Sequence, residues 1–161
     1  MKSIFMKQIL CGLLILGATQ CVGAQGFNND KTELSMFVER MYRNAPFEGV
    51  RAVDDYEQQY IISVLTLDSA KYSGDESVMF RVAGVKAMSQ ASRFFNGSNI
   101  SSELIIHTSE KSVDSVNTEI IETIKENSMG YVKALELLTN FKLDNGRMVF
   151  IYFTPIVVQK E

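Results

Sequence analysis

The chain predicts an α+β fold. The expected architecture is a two-layer sandwich, with a largely antiparallel sheet of about four strands and two or three helices on one face, in the order α-β-α-β-α-β-β. Three observations carry this. Apolar residues recur at helical spacing in three segments, 34–41, 83–95 and 113–124. The run YIISVLTL at 60–67 is apolar on both faces and rich in β-branched residues, the composition of a central strand. Asp144-Asn145-Gly146 lies between two strand-like runs, a strong hairpin signal. Helices with one apolar face must bury it on the sheet, which makes layers.

The chain opens with a leader. Lys2 and Lys7 precede an almost wholly apolar or small run at 9–19, and Val22-Gly23-Ala24 puts small residues at the cleavage positions. Residues 1–24 therefore read as a signal peptide cleaved after Ala24, with an apolar core too short to span a bilayer permanently. A lipid on Cys21 is the rival reading, but Gln20 stands where a lipobox wants a small residue. Cys11 and Cys21 both lie in the leader, so residues 25–161 contain no thiol, disulfide framework or thiolate ligand. They are long enough for a single domain with its own core.

Losing the leader removes two lysines and no acid. The 16 basic residues then become 14 against 19 acidic, and the formal charge moves from −3 to −5. That balance disfavours nucleic acid, whose phosphates are held by lysine and arginine.

The elements follow in order. Asp30-Lys-Thr-Glu33 starts a helix as a capping box, Leu34, Phe37, Val38 and Met41 line its face, and Pro46 stops it. Strand 60–67 comes next. Ser73-Gly-Asp-Glu76 reads as a second capping box, opening a helix through Phe95 that Asn96-Gly97 closes with a left-handed cap. Within it Ala83, Ala87 and Ala91 stand four apart, one smooth ridge that lets a backbone lie close to a sheet. Residues 100–107 alternate as a strand. A third helix carries Val113, Val116, Ile120 and Ile124 on one face and ends at Met129-Gly130. Residues 131–141 and 147–158 make the hairpin, with donor-less Pro155 at an edge or outside the sheet.

The strand, the alanine-spaced helix, the polar strand after a glycine turn, the Ser128-Met-Gly130 turn and the closing hairpin resemble the LPP-twenty lipoprotein family. The pattern is also similar to amino-terminal domains of the FlgT type. The likeness runs from about Tyr60 to Val158 and leaves out the first helix. It implies a compact α+β domain in a bacterial envelope, periplasmic or at the cell surface, and supplies no catalytic residues.

No catalytic constellation stands out, and no cofactor or metal is expected. The lone histidine, His107, shares a strand face with Glu103, but four residues along a strand is about 13 Å, too far for a hydrogen bond. Asp54, Asp55 and Glu57 offer oxygens to a hard cation without a calcium loop, and read as solvated turn acids. Glu103 and Glu136 are the carboxylates a hydrolase or sugar-processing enzyme would use. Tyr131, Phe141, Phe150 and Tyr152 are expected on the hairpin, some of them on an uncovered sheet face. Such a face suits a protein partner, a second copy of the chain, or an apolar small ligand. The leading expectation is an exported, non-catalytic protein acting by partner binding or self-assembly, touching a membrane only through a lipid on Cys21.

Overall fold

A computed structural model describes residues 29–55, 58–72, 75–97, 102–107 and 113–157. The helices are α1 (Asn29–Asn44), α2 (Glu76–Gly97), α3 (Val113–Glu126) and α4 (Ser128–Ala134). The strands are β1 (Gly49–Asp55), β2 (Gln58–Asp68), β3 (Ile105–His107), β4 (Glu136–Lys142) and β5 (Arg147–Ile156). Glu33–Glu161 forms one compact unit. The sheet runs β3-β1-β2-β5-β4. Among the described residues, only the short β1–β3 pairing is parallel; β1–β2, β2–β5 and β4–β5 are antiparallel.

The mixed α+β class holds, but the layering and order differ from expectation. The observed order is α-β-β-α-β-α-α-β-β, and helices cover both sheet faces. On one face Ile61 and Leu65 of β2 and Phe150 and Tyr152 of β5 meet Met79, Ala83, Ala87 and Ala91 of α2. Ile120 and Ile124 of α3 and Tyr131 of α4 join the same cluster. On the other face Ile62 and Val64 of β2, with Val149, Ile151 and Phe153 of β5, meet Leu34, Val38 and Tyr42 of α1. Consecutive strand residues point to opposite faces, so an apolar run such as 60–65 requires cover on each side. Burying each of the large α1 side chains contributes about 1.5–3 kcal/mol. No open apolar sheet face therefore remains between these strands for the interface expected there.

The alanine ridge does what its spacing predicts. Ala83, Ala87 and Ala91 are fully buried, and α2 lies close enough for the Ser63 hydroxyl to donate to the Ala87 carbonyl at 3.3 Å. Other details change. Asp75 caps α2, its Oδ1 accepting from the Val78 N–H at 3.1 Å, while Ser73 lies outside the described residues. Gly97 ends α2, but the described glycines with positive φ are Gly49 and Gly146, so the left-handed cap is not there. Strand β3 is only three residues long, and 102–104 form a 3₁₀ turn before it. Tyr131 lies in α4, because the chain makes one more short helix before β4. The hairpin turn is as expected, with Gly146 at φ +80° and the Leu143 N–H donating to the Arg147 carbonyl at 2.8 Å. Pro155 lies beyond Phe153, the last β5 residue that β4 pairs, so its missing donor leaves no gap in that ladder.

Candidate functional site

Strand β1, unforeseen in the sequence, positions the polar residues. Register sets Asp54 beside Gln59 of β2 and beside His107 of β3. The His107 Nδ1 and Asp54 Oδ2 are 3.0 Å apart, both side chains 18 % exposed, and Gln59 Nε2 donates to Asp54 Oδ1 at 3.5 Å. His107 thus has its carboxylate partner across the ladder, whereas Glu103 lies exposed in the 3₁₀ turn. The pair ties the edge strand β3 to β1, a use that suits a strand held by three register positions.

Among the described residues, two buried polar atoms lack good partners. Gln59 Oε1 and the Tyr131 hydroxyl are buried without a hydrogen bond of good geometry. Burial pushes the Tyr131 pKa up from its ordinary 10.0, an effect that the nearby Val157 backbone and Asn127 side chain only partly offset. Burial likewise raises the Tyr152 pKa.

The expected interface rings are all internal. Phe150 is fully buried, Tyr131 and Tyr152 are nearly so, and Phe141 packs edge-on against Tyr42 at 5.6 Å beneath α1. Glu103 precedes β3 and Glu136 begins β4, at opposite edges of the five-stranded sheet. Four strand spacings of about 4.8 Å separate those edges, so the two carboxylates do not share a substrate. Among the described residues, no three His, Cys, Asp or Glu side chains converge, and no helix is long and apolar enough to cross a membrane. Asp54 and Asp55 lie on β1 rather than in a turn; Glu57, Cys21 and the leader lie outside the described residues.

A different feature stands at the opposite end of β2. Gly49 has φ +130°, a conformation that a side chain strains. The backbone turns there, and the β1–β2 ladder ends at the Gly49–Val64 pair. Phe47, which would otherwise extend the ladder, packs instead on the α1 face, with the Arg51 guanidinium 4.2 Å over its ring. Residues 65–68 of β2 continue, paired on one side with β5 and unpaired by any described strand on the other. Beside that free edge runs a groove of about 350 Å³, with Leu65 and Leu67 along the strand and Lys86, Gln90 and Arg93 on the α2 wall. Gln90 Nε2 donates to the Val64 carbonyl at 3.0 Å, so the helix wall reaches the strand backbone. The sequence marks this groove only through Gly49 and the 86-90-93 helical spacing, and neither singles it out.

No family model matches the chain, and neither a curated protein nor a solved structure matches it.

Proposed function

We propose that the chain is an exported, non-catalytic bacterial envelope protein that acts by binding a protein partner or by assembling with itself. The overhanging edge of β2 is the observation that carries the binding part. Proteins ordinarily pair, shorten or cover a strand edge, because unsatisfied N–H and C=O groups there recruit other chains. Here the edge is left beside a groove with polar walls. The export part rests on the leader-like residues 1–24, and the envelope setting on the likeness to LPP-twenty and FlgT-type domains. The surface that meets a partner differs from the one the sequence suggested, since the hairpin rings lie inside.

The test has two arms. Fractionation of cells expressing the tagged full chain, with mass analysis of the product, should place it outside the inner membrane with Gln25 as its first residue. A lipid-bearing Cys21 would move the anchor and keep the compartment; a cytoplasmic protein with residues 1–24 intact would refute export. Crosslinking in intact envelopes, with light scattering on the purified exported protein, should give a discrete complex or a concentration-dependent oligomer. A strict monomer that forms no crosslink would sink the binding reading.

A further inference from the structure

We infer, building on that binding reading, that the groove between the free edge of β2 and α2 takes an extended, acidic peptide segment by strand addition. Residues 65–68, paired with β5 on one side only, offer about 13 Å of strand edge at 3.3 Å per residue, enough for a short β ladder. The groove's volume of about 350 Å³ falls at the lower end of ordinary ligand sites. Leu65 and Leu67 line the groove but are buried in the core under α2, so β2 offers the incoming strand its backbone edge rather than side-chain surface.

Charge selects the occupant. Lys86, Gln90 and Arg93 lie at i, i+4 and i+7, so α2 presents all three along one stripe. Lys86 and Arg93 are exposed. The Arg93 guanidinium donates to the Ser89 hydroxyl at 3.2 Å, and neither cation has an ion pair among the described residues. Glu48, the acid that also lines the groove, is 3.6 Å from Arg147 Nη2 and so is already matched. The groove therefore offers two uncommitted cations on a chain whose formal charge is −3. Their Cα atoms lie about 10 Å apart along the helix, at 1.5 Å per residue. Carboxylates two positions apart on an extended peptide lie about 7 Å apart on one face, a separation that the flexible Lys and Arg side chains span. Gln90 marks how an occupant is held, because it already occupies a β2 carbonyl at the point where β1 leaves off.

The test uses the purified exported protein and fluorescein-labelled heptapeptides alternating valine with glutamate. Anisotropy should show saturable binding of the glutamate peptide. Its lysine counterpart, and a glutamate peptide N-methylated on alternate amides, should bind at least about 10-fold more weakly. Lys86→Glu/Arg93→Glu should lose affinity by a similar factor, and its circular dichroism should be unchanged because both side chains are exposed. Amide exchange should slow on binding at those of residues 65–68 whose N–H groups face the edge rather than β5. If the N-methylated peptide binds equally well, strand addition is wrong. If no peptide binds, the groove is not a peptide site and the two cations only guard an edge. The broader binding reading fails separately. Envelope crosslinks that persist in the double variant keep that reading and overturn the groove; crosslinks absent from both proteins overturn the reading itself.

Discussion

Replacing Ala87 by leucine tests the central packing claim, that α2 lies against β2 because its buried ridge carries no bulk. Ala87 is fully buried between Ala83 and Ala91, and its carbonyl accepts from Ser63 Oγ at 3.3 Å. A leucine adds three carbons at a point where the helix backbone is within hydrogen-bond reach of a strand side chain. Two responses are open. The leucine adopts a strained rotamer, or α2 lifts, breaks the Ser63 bond and loosens its neighbouring alanines. Overpacking costs about 1–3 kcal/mol, and the lost buried bond adds about 1 kcal/mol. The expected destabilisation is therefore about 3 kcal/mol. For a chain of this size 1 kcal/mol shifts the melting temperature by about 4 °C, so the midpoint should fall by about 12 °C. Urea unfolding followed by circular dichroism measures the free energy directly. Val85→Leu is the control, on the same helix but 68 % exposed, and should stay within about 0.5 kcal/mol of the parent. If Ala87→Leu loses less than about 1 kcal/mol, the close approach of α2 is not what the alanines are for.

Other perturbations probe separate parts of the fold. Gly84→Ala should raise stability by about 0.5–1 kcal/mol in thermal melts, since helix propensity improves. The added methyl would meet the Tyr152 hydroxyl at 3.5 Å, an ordinary contact. Gly49→Ala should destabilise by about 1–3 kcal/mol despite the open space around it, because φ +130° is closed to a side chain. An unchanged melting temperature would show that the backbone there adjusts without strain. Tyr131→Phe removes a buried hydroxyl that has no hydrogen bond of good geometry and should be neutral or stabilising by up to about 1 kcal/mol at pH 7. The same variant should also resist alkali better. A folded-state tyrosine pKa raised above 10.0 keeps its proton while the unfolded chain loses it, so stability is complete below pH 10 and falls as pH rises through the folded value. Denaturant titrations from pH 9 to 12 should show a shallower fall for Tyr131→Phe than for the parent.

The local signals in the sequence were the dependable ones. The Asn145-Gly146 turn and the alanine ridge could be read because each is a short-range pattern with one physical solution. The covered second face was also available in principle. A run such as Ile61-Ile62-Ser63-Val64-Leu65 is apolar on both sides, and that alone requires a layer above and below it. Leu34, Val38 and Tyr42 on α1 were the matching stripe. Strand β1 was hidden because GVRAVDD carries only Val50, Ala52 and Val53 as buried apolar residues, and its two aspartates read as a turn. The His107–Asp54 contact joins residues 53 apart through a parallel pairing, and no local pattern encodes such a register. Tyr131 was misplaced because YVKALELL is apolar at both helical and strand spacing, so tertiary packing decided where the helix stopped.

The two sheet faces are built from different materials, and that difference limits where a partner can bind. Under α1 the contacts are large: Tyr42 on Phe141, Tyr60 on Phe153, and Arg43 over Phe141 at 4.8 Å. Under α2 the middle of the helix contributes only small residues, Ala83, Ala87 and Ala91, with the Ala87 carbonyl on Ser63, although Phe80 packs edge-on against Phe150 on the same face. A helix seated on small residues lies close to its strands, and its flanking long side chains then reach the strand edge rather than open solvent. Gln90 does so at Val64, and Lys86 and Arg93 line the same groove. The alanines, read first as packing, thus also bring the basic wall of α2 to the free edge of β2. Gly49 completes the arrangement, since the β1–β2 ladder ends at its pair with Val64. Bulk at 87 and a side chain at 49 should therefore both disturb the groove, although neither residue lines it.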